Sequence, residues 1–103
     1  TFDDRESAFE NKFAHDEEMK FKAEARRNKL LGIWAAELLG KTGADADAYA
    51  KEVVLSDFEE AGHEDVVRKV AGDMGDLADA DTIRGKMDEL LRVAKEQLVK
   101  ETD

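Results

Sequence analysis

Leu30-Leu31-Gly32-Ile33-Trp34-Ala35-Ala36-Glu37-Leu38-Leu39-Gly40 is the most apolar stretch of the chain, and its spacing decides the fold. Read upstream to Glu17, apolar residues recur at Ala23, Leu30, Leu31, Trp34, Ala35, Leu38 and Leu39, at intervals of three, four and seven. That is the period of one helix face and not the alternation of a strand. Gly40 suits the position just past a helix end, where a left-handed backbone carries no Cβ penalty, and Gly43 continues the turn. A helix over 17–39 is therefore the expected central element.

The pattern repeats downstream. Thr42-Gly43-Ala44-Asp45 has the spacing of a capping box, with Asp in place of Glu or Gln. The helix it opens is expected to reach about Ala61, with Tyr49, Ala50, Val53, Val54 and Phe58 inward and Gly62 as its stop. A short helix over Glu64 to Ala71 buries Val66, Val67 and Val70, and the glycines and aspartates between Gly72 and Ala80 read as a loop. Asp81 is the expected cap of a last helix running to about Lys100, with the stripe Ile83, Met87, Leu90, Leu91, Ala94 and Leu98. The fold class expected is all-α: a small antiparallel bundle of about four main helices plus a short one.

Composition agrees. The chain is 103 residues with no proline and 41% charged side chains, well above an average domain. It reads as one acidic, soluble, intracellular domain with a thin core. The absence of cysteine excludes disulfides, thiolate metal sites and thiol catalysis, and two histidines leave little for metal chemistry. No apolar run approaches the roughly 18 residues that span a bilayer, and no apolar leader opens the chain, so direct membrane insertion is not expected. A net charge of −10 argues against nucleic acid as a partner. The charge is uneven: residues 1–31 sum to −1, whereas residues 32–103 sum to −9. Two surfaces so different suggest two jobs.

The segment upstream of the central helix has its own pattern. At 100° per residue, Phe2, Phe9 and Phe13 fall within a wedge of about 40°. Asp3, Asp4, Arg5, Glu6, Glu10, Asn11 and Lys12 occupy most of the rest. A helix needs an apolar stripe of roughly 100° to dock on its own core, and an isolated helix of this length is marginal in water. Helix-in-groove binding to a partner uses such a stripe; loose docking on the bundle is the alternative. Asp16 is a good N-cap and Glu17 and Glu18 suit a first turn, which places a hinge near His15. The division expected is residues 1–15 as a segment and 16–103 as the bundle.

Sites for chemistry were sought and do not assemble. Gly40-Lys41-Thr42 resembles the end of a phosphate-binding loop, but Ala35 stands where the motif needs Gly. Asp45, Asp47, Asp79 and Asp81 lack the glycine of a calcium loop and read as helix caps. His63-Glu64 lacks the second histidine of a zinc helix, because Val67 occupies that position. Both histidines read as surface residues at helix boundaries. An enzyme is not expected. Lys20, Lys22, Arg26, Arg27 and Lys29 form the one basic patch, read first as a solvated helix face and second as a surface that steers an acidic protein partner.

Several blocks together resemble a known family. These are Thr1-Phe2-Asp3-Asp4-Arg5-Glu6, Lys12-Phe13-Ala14-His15-Asp16-Glu17-Glu18, Ala25-Arg26-Arg27-Asn28-Lys29-Leu30-Leu31-Gly32, Trp34-Ala35-Ala36-Glu37-Leu38-Leu39-Gly40 and Asp57-Phe58-Glu59-Glu60-Ala61-Gly62. They resemble the zeta subunit of alphaproteobacterial F-type ATP synthase, densely to about residue 70 and more loosely beyond. The resemblance implies a helical bundle with a mobile N-terminal segment that inhibits ATP hydrolysis. That segment enters a catalytic alpha/beta interface of the head and contacts the gamma rotor. Carried onto this chain, the inhibitory residues are Phe2, Asp3, Asp4, Arg5, Glu6, Phe9, Lys12 and Phe13, extending toward Lys20. The phenylalanines would be anchors, Arg5 and Lys12 would pair with acids of the cleft, and the bundle would act as a stop. The resemblance also implies a cytoplasmic place, peripheral to the inner membrane through the synthase, and a monomer when free. No cofactor is required; weak ATP or ADP binding would fall to Arg26, Arg27 and Lys29. A helical adaptor and a nucleotide sensor without ATPase inhibition stay open as alternatives.

Overall fold

The structure is a computed structural model, and it describes residues 17–58 and 62–102. Four α-helices follow in order: α1 (Glu17–Leu38), α2 (Gly43–Ser56), α3 (Glu64–Met74) and α4 (Ala80–Thr102). A 3-10 turn (Gly75–Leu77) joins α3 to α4. No strand occurs among the described residues, so the fold is the all-α bundle that the periodicity implies.

The α1–α2 and α1–α4 pairs run antiparallel. Phe21 meets Phe58 at one end of the α1–α2 pair, while Gly32 lies against Ala50 further along. Arg26 reaches Gln97 and Glu101 near the end of α4, whereas Trp34 lies under Lys86 near its start. The main core joins Leu31, Ala35 and Ala36 of α1 to Val53 of α2, Val66 and Val70 of α3, and Ile83 and Met87 of α4. A second, small cluster of Met19, Ala23 and Leu98 closes the other end of the α1–α4 pair. Alanines fill much of α1's buried face, so the helices approach closely and the core is thin.

The end of α1 follows expectation. Gly40 is left-handed (φ 78°). The Lys41 N–H reaches the Ala36 carbonyl at 2.8 Å and the Gly40 N–H the Glu37 carbonyl at 3.1 Å. This paired pattern satisfies two carbonyls that a helix end would otherwise leave open.

Five expectations need correction. Helix α2 stops at Ser56, well short of Ala61, and Phe58 is exposed. The Asp57 and Phe58 N–H groups close the last turn tightly on Val54 and Leu55. The Asp57 carboxylate is drawn sideways to Asn28 and His63, and the Phe58 ring leaves the core side to meet Phe21. Thr42 precedes α2 but caps it with backbone alone, because its hydroxyl makes no capping bond. Helix α3 runs on to Met74, through Gly72. Burial of the Met74 side chain outweighs the roughly 1 kcal/mol that a helical glycine costs. The cap of α4 is Asp79, not Asp81: Asp79 Oδ1 accepts the Thr82 N–H at 2.7 Å. Along α1, Leu38 is exposed and Leu30 and Trp34 are half-buried, as is Leu39 just past its end, while Arg27 and Asn28 are buried.

Candidate functional site

The segment Phe2, Asp3, Asp4, Arg5, Glu6, Phe9, Lys12 and Phe13, with the expected hinge at His15 and cap at Asp16, lies outside the described residues. What the described residues supply is the base from which it departs: the first turns of α1 and the surfaces beside them.

A buried polar seam fixes that base. Arg27 and Asn28 of α1 face the junction between α2 and α3. The Arg27 Nε–H donates to Asn28 Oδ1 at 3.0 Å, and the Asn28 amide donates to Asp57 Oδ2 at 2.9 Å. Arg27 Nη2 lies 3.8 Å from Asp57 Oδ2 and 3.0 Å from His63 Nδ1. The same His63 nitrogen is 3.0 Å from Asp57 Oδ1, and its Nε2 is 3.5 Å from Glu24 Oε1. One ring nitrogen cannot accept from Arg27 and donate to Asp57 together, so the two tautomers choose different partners. Burial pulls the Arg27 guanidinium below the usual arginine value, while Asp57, Glu24 and Asp88 pull it back up. An arginine so placed stays charged, and its partners make that burial tolerable. The seam ties residues 24–28 to residues 57 and 63, and so holds the two helix ends together.

The three residues expected at a phosphate do not converge. Arg27 is committed to the seam. Arg26 makes a two-pronged pair with Glu101, at 2.7 and 2.8 Å, which raises the guanidinium and lowers the carboxyl from their usual values through that hydrogen-bonded pair. Lys29 is exposed and lines a separate groove. The basic patch that looks continuous in sequence is divided: helix phase turns Arg27 inward, and Glu101 draws Arg26 away from Lys29. Of its lysines, Lys22 pairs with Glu18 at 3.2 Å.

That groove runs between α1 and α2. Its lining is Lys29 from α1 and Asp47, Ala50, Lys51, Val54 and Leu55 from α2, around a volume of about 530 Å³. An adjoining pocket shares Val54 with the groove and includes Phe21 and Phe58, whose rings stand 6.3 Å apart. Phe21, Leu55 and Phe58 are 56%, 65% and 64% exposed, a concentration of large apolar side chains on a protein of this size. The sequence does not reveal this face, because its spacing places Phe58 inward. Nor does it reveal the roles of Asn28, Asp57 and His63. A signal existed: Arg27 stands midway between Ala23 and Leu31 at helical spacing, on the inward line.

On the far side of α2, Tyr49 is buried beneath Lys69 and Lys41, and its hydroxyl donates to Asp73 at 3.0 Å. Among the described residues, no group of three or more His, Cys, Asp or Glu is arranged to hold a metal ion. No helix among them is long and apolar enough to cross a membrane.

The fold and these surfaces define a small acidic helical bundle built to present contact faces. A family model described as ATPase inhibitor subunit zeta matches residues 1–97. The chain belongs to that family. Its membership implies interaction with ATP synthase. A solved structure described as a solution NMR structure is 60% identical, covering 81% of this chain and 98% of its own, with a TM-score of 0.75. No curated protein matches the chain.

Proposed function

We propose that the chain is a regulatory subunit that blocks ATP hydrolysis by the catalytic head of F-type ATP synthase. The effector is the segment Phe2–Phe13, which enters a catalytic alpha/beta interface beside the gamma rotor. The observation that carries this reading is that the family match begins at residue 1 and so includes the phenylalanine stripe. A 40°-wide stripe is too narrow to hold a helix on its own bundle but fits a partner's groove. In the inserted state Phe2, Phe9 and Phe13 bury against the cleft walls, and Arg5 and Lys12 meet carboxylates. Asp3, Asp4 and Glu6 favour the helix start electrostatically.

The bundle supports this mechanism in two ways. It is too wide to follow a single helix into a cleft, so it sets the depth of entry. The seam through Arg27, Asn28 and Asp57 also keeps the first turns of α1 fixed, so a wedge in the cleft meets a rigid stop. The action is steric: an interface held open cannot complete the closure that hydrolysis requires. Its place is at the cytoplasmic head of a membrane-bound synthase.

The test is ATP hydrolysis by the cognate head, freed of its own zeta subunit, with the full chain or its Phe9→Asp variant added. Inhibition by the first and loss of inhibition by the second supports the reading. Equal inhibition by both removes the segment from it.

A further inference from the structure

We propose that the α1–α2 groove is a second docking surface for the ATPase head, taking a segment of that head with apolar and acidic side chains. This rests on the reading above that the head is the partner. Three observations carry it. The first is composition. Ala50, Val54 and Leu55 make an apolar floor, and Phe21 and Phe58 line an adjoining pocket that shares Val54 with it. The exposure of Phe21, Leu55 and Phe58 leaves a substantial apolar area in water, which a contact would remove.

The second is charge. The chain carries −10 overall, yet the groove's rim holds two lysines, Lys29 and Lys51, against one acid, Asp47. Neither lysine makes an ion pair among the described residues, whereas Lys22, Lys69 and Lys86 do. An apolar trough edged by unpaired ammonium groups is complementary to carboxylates flanking apolar side chains.

The third is position. Phe21, in the adjoining pocket, lies four residues past Glu17, and Lys29 of the groove stands about 12 Å further along the same helix. Phe13 is eight residues from Phe21, so whatever receives the segment lies within about 28 Å of Phe21 and the pocket that adjoins the groove. A contact there is intramolecular once the segment is held. Even a weak one then raises overall affinity by up to about 100-fold or more without a new high-affinity site. The groove thus acts as the second of two linked contacts, and the lysines speed encounter.

The experiment uses the full chain, its Leu55→Glu variant, a Lys29→Glu/Lys51→Glu variant, and Phe9→Asp as the reference for the segment. Two quantities are read against the isolated head: the concentration that half-inhibits ATP hydrolysis, and binding by fluorescence anisotropy of the labelled chain. All the substituted groove residues are exposed, and thermal melts check that each bundle is intact. Leu55→Glu is expected to weaken both quantities by about tenfold or more. The lysine variant is expected to bind more slowly and with a flatter salt dependence. Unchanged values for both groove variants would overturn the proposal while leaving the segment reading in place. So would tighter inhibition, which would mean the groove holds the chain's own N-terminal segment, or a second copy of the chain, until released. If Phe9→Asp changes nothing while Leu55→Glu weakens binding, the groove stands and the segment reading falls.

Discussion

Gly32 of α1 lies so close to α2 that a β-carbon placed on it would fall 2.6 Å from the Cα of Ala50. The atom that would have to move is backbone, so no side-chain rotation relieves the contact. This closeness suits the small Ala35 and Ala36 of the main core, and it positions the groove whose floor includes Ala50. Gly32→Ala gains helix propensity but forces α1 and α2 apart. We expect a net loss of about 1–3 kcal/mol in urea unfolding, with an altered groove. A gain in stability would show that the helix pair is not held at this distance.

The buried seam gives a second prediction. Asp57→Ala removes a partner of Asn28 and the nearest carboxylate to Arg27, leaving that guanidinium buried with less compensation. A loss of about 3 kcal/mol is expected. His63→Ala, at a half-exposed position, should cost no more than about 1 kcal/mol. Denaturant midpoints of the two variants check the ordering; a costlier His63→Ala would reverse the roles assigned here.

Tyr49 makes stability depend on alkaline pH. Burial, followed by the Asp73 hydrogen bond and its charge, raises the phenol above its usual value. The folded chain therefore holds that proton more tightly than the unfolded chain does. Its contribution is complete below about pH 10, the unfolded value, and is lost as pH rises toward the raised folded one. Stability should fall above about pH 10, and the fall should be shallower in Tyr49→Phe. Urea midpoints of both proteins between neutral pH and pH 11 give the comparison. Parallel curves would remove Tyr49 as the cause.

The corrected helix cap is open to direct test. Asp79→Ala should cost about 1 kcal/mol, because the Thr82 N–H loses its acceptor. Asp81→Ala loses only an exposed pair with Arg84 at 2.9 Å and should cost little. Thermal midpoints that rank the two the other way would restore Asp81 as the cap.

These cases show what the sequence could and could not convey. The inward faces of α3 and α4 were legible because their apolar residues recur at helical spacing, and Val66, Val70, Ile83 and Met87 are buried as expected. The turn at Gly40 was legible because only glycine enters that backbone region freely. The end of α2 was not. Its pattern continues through Phe58, and the helix stops because partners remote in sequence, Asn28 and Phe21, draw Asp57 and Phe58 aside. Arg27 illustrates the same limit. In sequence it is one of a run of bases; in the fold it faces inward, because Asp57 and His63 arrive from elsewhere to meet it. Periodicity alone separates Arg27, about 100° from Arg26 and about 160° from Lys29 around the helix; Arg26 and Lys29 stand only about 60° apart, and it is Glu101, remote in sequence, that draws Arg26 away.

The central claim is that residues 2–13 act inside the catalytic head. The chain has no cysteine, so Ala8→Cys provides one attachment point beside Phe9. The full-length variant, labelled there with a photocrosslinker, is mixed with the cognate head during ATP hydrolysis and then illuminated. Crosslinks to the alpha and beta subunits are expected, with hydrolysis lost in proportion to the crosslinked fraction. Loss of hydrolysis without any crosslink from position 8, or crosslinking with hydrolysis unimpaired, would contradict that claim.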